Sequence, residues 1–96
     1  MALHNHALMA DLRGAIRHER VIRFTYEGRN YVVEPHELGR NPVTGTYEFT
    51  AWVRSGPYGM LPTWKTFHYW KVRGLEVMPD KFLPRRIAPQ TLDFAG

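Results

Sequence analysis

The chain has 96 residues, which fits one domain and leaves no room for two. Its 44% apolar and 23% charged residues exclude a disordered chain and support one modest core. Lysine plus arginine number 13 against 9 acidic residues, a formal charge of +4 that suits an ordinary basic surface or an anionic partner, and the absence of cysteine excludes disulfides, thiolate zinc sites and cysteine nucleophiles.

In chain order, residues 5–19 read as a helix. Leu8, Leu12, Ala15 and Ile16 form one apolar stripe that Glu19 can extend, Arg13 and Arg17 lie off it, and Asn5 is positioned to cap its start. Gly14 weakens this helix by about 1 kcal/mol relative to alanine, so packing must hold it. The period then changes. Val21-Ile22-Arg23-Phe24-Thr25-Tyr26 alternates and is β-branched or aromatic, the pattern of a strand. A glycine turn at 27–30 leads to a second strand at 31–34, completing a hairpin, and Pro35 limits pairing near its end. Residues 39–45 read as a loop, 46–54 as a third strand, and 55–62 as a glycine- and proline-rich loop that also carries Tyr58, Met60 and Leu61. A fourth strand spans 63–70 and a short fifth 74–78, followed by a proline-punctuated stretch anchored at Phe82 and Leu83.

One helix followed by five short strands predicts a mainly β fold with an N-terminal helix, a small SH3-like or Sm-like five-stranded bent-sheet barrel. The domain covers 1–82, with 83–96 as an irregular tail. No apolar run reaches the length of a membrane span, and the first ten residues lack the basic start and unbroken apolar block of a signal peptide, so a cytoplasmic protein is expected.

Catalytic chemistry finds little footing. The single serine, Ser55, has no nucleophile-elbow motif around it, and no H-x-x-x-H, H-E-x-x-H or phosphate-loop pattern exists. His4 and His6 read as terminal histidines rather than metal ligands. The expectation is a non-enzyme with no cofactor and no metal.

The positive signal is the strand 64–71. Trp64, Thr66, His68 and Trp70 fall on one face, and Lys65, Phe67, Tyr69 and Lys71 on the other. Aromatic rings interleaved with cations suit base stacking and phosphate contact. The plainer alternative makes one row the barrel core, and for Phe67 that alternative is preferred.

These pieces, in this order, resemble the WYL domain family over residues 12–82. Val21 to Tyr26 is similar to the family's "I-x-Y" strand after a helix, and Arg29 to His36 to its "R-x-V-x-P" stretch. Leu38-Gly39-Arg40 follows as in one branch of the family. Tyr47-Glu48-Phe49-Thr50-Ala51-Trp52 stands at the motif that names it, and the run to Lys71-Val72 at its "F-R-x-x-R-I" strand. Glu48 departs from the motif's central aromatic, and His68 and Lys71 stand where the family has arginines. The usual winged-helix DNA-binding domain does not precede the first helix, which implies a stand-alone WYL-like domain or a fragment of one.

The resemblance implies an Sm-like barrel and a ligand-sensing role in bacterial transcription control, with nucleotide or single-stranded nucleic acid as ligand. The residues it implicates are His36, Tyr47, His68 and Lys71; Arg40 comes from the adjoining loop and Trp64 from the aromatic strand. The alternative is a protein-interaction module, a homodimer or partner of a separate DNA-binding protein, using the loop with Tyr58, Met60 and Leu61.

Overall fold

A computed structural model describes residues 7–86. Helix α1 spans Met9–Arg17, and strands β1 to β5 span Arg20–Tyr26, Arg29–Arg40, Tyr47–Ser55, Thr63–His68 and Val72–Lys81. The expected architecture is borne out: five antiparallel strands form one sheet in the order β4-β3-β2-β1-β5. The sheet is strongly bent. Register shifts interrupt β2 between Val32 and Val33 and between Pro35 and Glu37 along its ladder with β3, and two more interrupt β1 against β5. At one of the latter, Gly74 has φ of +61°, a left-handed conformation that its missing Cβ permits.

Several boundaries differ from expectation for local reasons. The helix begins at Met9 with Leu8 as its N-cap; Asn5, like His4 and His6, lies outside the described residues. Glu19 is not helical. It takes φ of 56°, and this left-handed residue turns the chain from α1 into β1. Strand β2 continues through Pro35 to Arg40: its ladder with β1 ends at Val33, while its ladder with β3 carries on past Pro35 around a bulge. Strand β4 stops at His68, where a single 3-10 turn, Tyr69–Lys71, swings the chain round into β5. Strand β5 is longer than expected and reaches Lys81, after which Phe82 is buried and Leu83 exposed.

Each of the first four strands turns its large core residues to one face. Phe24 and Tyr26 on β1, Tyr31 and Val33 on β2, Phe49, Ala51 and Val53 on β3 and Phe67 on β4 point into the core. Phe67 sits at the centre of the aromatic cluster, its ring 4.9–5.3 Å from those of Phe24, Tyr26, Tyr31 and Phe49. Leu12 and Ala15 of α1 close this core from one side. The Tyr26 hydroxyl accepts a hydrogen bond from the His68 N–H at 3.0 Å, which ties the end of β4 to β1 where β5 also begins. The alternate residues of β2, β3 and β4 make up the outer face.

Candidate functional site

Register decides what the outer face carries. Glu34, Trp52 and Trp64 lie opposite one another across β2, β3 and β4. Next along come Glu37, Thr50 and Thr66, then Gly39, Glu48 and His68. The six residues expected at a site therefore divide. His36 and Trp64 stand at one end of this face. His68 stands at the other, with Lys71 three residues beyond it, whereas Arg40 and Tyr47, paired with each other next along, take the alternate positions that share the register of Leu38 and Phe49.

At the first end lies a cluster that sequence reasoning missed. Glu34 is only 1% exposed, yet it is charged. Burial pushes its carboxyl up, but hydrogen bonds from Arg85 and Arg54 and the charges of both guanidiniums outweigh burial and hold it below the ordinary range. Arg85 grips it twice, Nε to Oε1 at 2.7 Å and Nη2 to Oε2 at 3.4 Å, and Arg54 Nε donates to Oε2 at 2.7 Å. The Arg85 guanidinium also lies 4.5 Å over the Trp52 ring.

His36, the extra residue at the β2 bulge, has both ring nitrogens engaged. Nδ1 pairs with the Glu34 carbonyl at 2.9 Å, and Nε2 accepts the Arg85 backbone N–H at 2.8 Å. That geometry requires the proton on Nδ1. The ring packs edge-on against Trp64 at 4.9 Å and beside Phe82 at 5.0 Å. No local signal in the sequence marks this cluster: alternation after Tyr31 and Val33 places Glu34 on the outer face, and its partners come from distant stretches of the chain.

Between the two ends is an open cavity of about 500 Å³, lined by Glu37, Leu38, Gly39, Arg40, Asn41, Pro42, Glu48, Thr50 and Thr66. Asn41 sets its rim. Its side-chain oxygen accepts the N–H groups of Val43 and Thr44 at 2.8 and 3.1 Å, and its amide donates to Glu48 at 3.0 Å. Arg40 reaches back to the Gly45 carbonyl at 3.1 Å with its guanidinium 5.6 Å over the Tyr47 ring. The cavity walls thus offer two carboxylates, two hydroxyls and one guanidinium.

At the far end, His68 Nδ1 is buried without a hydrogen-bond partner among the described residues, 3.5 Å from Glu48 Oε2. Trp70 is 55% exposed, and the Lys71 ammonium stands 5.3 Å from its ring centre. Lys71 also donates to Glu27 at 2.9 Å; that hydrogen bond and the opposite charge raise the lysine pKa and lower that of the glutamate. In the 56–62 loop, Met60 packs against the core, whereas Tyr58 and Leu61 project into solvent.

Among the described residues no group of histidines and carboxylates is arranged to hold a metal ion, and no helix is long and apolar enough to cross a membrane. The chain matches no protein-family model, no curated protein and no solved structure.

Proposed function

We propose that the chain is a non-catalytic, WYL-like regulatory domain that binds a nucleotide or a short single-stranded nucleic acid through His68, Trp70 and Lys71, with Arg40 and Tyr47 on the neighbouring strand ends as further contacts. The observation that carries this reading is Trp70: a large indole more than half exposed, with a lysine ammonium beside its ring. An exposed aromatic face flanked by a cation stacks a base while the cation meets a phosphate. Besides the Trp70 ring, Lys71 pairs with Glu27, which is itself exposed, and an ion pair of that kind yields readily to a competing anion. Glu37, Glu48 and the threonine hydroxyls of the neighbouring cavity suit the amino groups of a base rather than its phosphate. A place in bacterial transcription control follows from the WYL resemblance.

Fluorescence anisotropy with a labelled, mixed-sequence single-stranded oligonucleotide tests this. Two phosphate contacts, from Arg40 and Lys71, make affinity fall about sevenfold between 50 and 200 mM salt, from a slope of about −0.7 per contact. Trp70→Ala and Lys71→Ala weaken binding without changing the melting temperature. Absence of binding at either salt, or binding untouched by both substitutions, removes the reading.

A second reading, a protein-interaction module, is favoured by the 56–62 loop. Met60 pins its base while Tyr58 and Leu61 are presented outward. Sedimentation over a wide concentration range distinguishes a self-associating chain from a strict monomer.

A further inference from the structure

The segment after β5 is bound to the outer face much as a separate peptide would be. It makes no strand pairing, yet two of its residues are read in detail. Phe82 is buried beside His36, and its N–H donates to the Glu19 carbonyl at 3.0 Å. Three residues on, Arg85 is recognised by both its backbone and its side chain: the N–H by His36 Nε2, the guanidinium edge by buried Glu34, and the guanidinium face by Trp52. Leu83, between these anchors, is exposed and makes no comparable contact. Trp52 and Trp64, packed edge to face at 5.5 Å, stiffen the floor. A carboxylate sunk in a wall of aromatic rings and aimed at a guanidinium is the chemistry of an arginine receptor.

We infer that Glu34, His36, Trp52 and Trp64 form a docking site for an extended peptide of a partner protein that carries phenylalanine three residues before arginine, a site that the chain's own 82–86 segment fills in cis. The segment is a strap: residues 82–86 lie outside every ladder, and the Arg85 side chain is 46% exposed. A peptide in trans must displace it, so the apparent affinity of the intact chain equals the intrinsic affinity reduced by the fraction of molecules with the strap open. This site lies at the opposite end of the outer face from Trp70 and is independent of the nucleic-acid reading.

The test uses the full chain and the labelled peptide acetyl-Lys-Phe-Leu-Pro-Arg-Arg-amide. Arg85→Ala, which empties the guanidinium cradle, is expected to bind the peptide at least tenfold more tightly than the unmodified chain. A peptide with alanine at its first arginine is expected to lose that gain. In a parallel melt, millimolar methylguanidinium raises the melting temperature of Arg85→Ala saturably, whereas methylammonium does not, and adding Glu34→Gln abolishes the rise. Equal peptide affinity for the intact and Arg85→Ala chains overturns the inference, as does a methylguanidinium effect of equal size in all variants. Sedimentation supplies a further outcome: a dimer of the intact chain that is lost in Arg85→Ala makes a second copy the occupant, and the foreign-peptide reading fails.

Discussion

Replacing Glu34 by glutamine keeps the shape of the side chain and removes the one buried charge among the described residues. The carboxylate accepts charge-assisted hydrogen bonds from two arginines, each bond of this kind contributing about 1.5–3 kcal/mol. Breaking a fully buried pair costs about 3–5 kcal/mol. Here Arg54 and Arg85 keep 38% and 46% of their side chains in water and regain hydration once released, which reduces the loss. The net expectation is a destabilisation of about 2–3 kcal/mol at pH 7, or about 10–20 °C in melting temperature for a domain of this size.

The pH dependence has a definite sign. The folded carboxyl titrates below its unfolded counterpart, so the fold favours the ionised form. The contribution is complete above the unfolded value of about 4.3 and is lost as the pH falls through the lower folded value. Urea titrations of both chains at pH 7, 5, 4 and 3 therefore show a gap that is constant down to about pH 5 and narrows below it. A gap under about 0.5 kcal/mol at pH 7, or one that stays the same down to pH 3, refutes the view that Glu34 is an ionised structural centre.

Other substitutions test other parts of the fold. Tyr26→Phe removes the hydroxyl that accepts the His68 N–H and leaves that donor without its partner, lowering stability by about 1–3 kcal/mol in urea titration. Phe67→Ala empties the centre of the aromatic cluster and costs about 3–5 kcal/mol, readable as a shifted denaturation midpoint. Glu27→Asn suits the two-residue turn better, since residues 27 and 28 both have positive φ. It also releases Lys71 from its carboxylate, and oligonucleotide affinity measured by anisotropy rises at low salt.

Sequence pattern was most informative where a single rule decided the outcome. Alternation from Val21 to Tyr26 and the dense aromatics around Phe67 each signalled a strand with one buried face, and the fold agrees. Pro35 misled because proline's effect depends on which neighbour a strand pairs with at that point, a property of the whole sheet. Strict alternation puts Trp70 in the row of Trp64 and His68, but a 3-10 turn begins at Tyr69 and breaks the alternation. The proposed site was legible residue by residue but not as a group. Its members divide between the two ends and the two faces of the sheet, because β2 carries a bulge at His36 and extends six residues beyond the expected end at 34. The Glu34 cluster could not be found locally, since Arg54 and Arg85 are 20 and 51 residues away along the chain.

The strand order has a consequence for how the molecule assembles. Strands β1 to β4 pair in sequence as neighbouring hairpins, each closing a short stretch of chain. Strand β5 alone must return across the whole meander to pair with β1, joining Arg23 to Glu76 and Tyr26 to Val72. Loops that long are slow to close, so this ladder forms late. Until it does, β1 is an open edge that offers its backbone groups to any passing strand. On a ribosome the interval is set by translation, because the partner of β1 is made after every other strand. The hazard in this small barrel therefore lies in the time β1 waits rather than in the stability of the finished sheet.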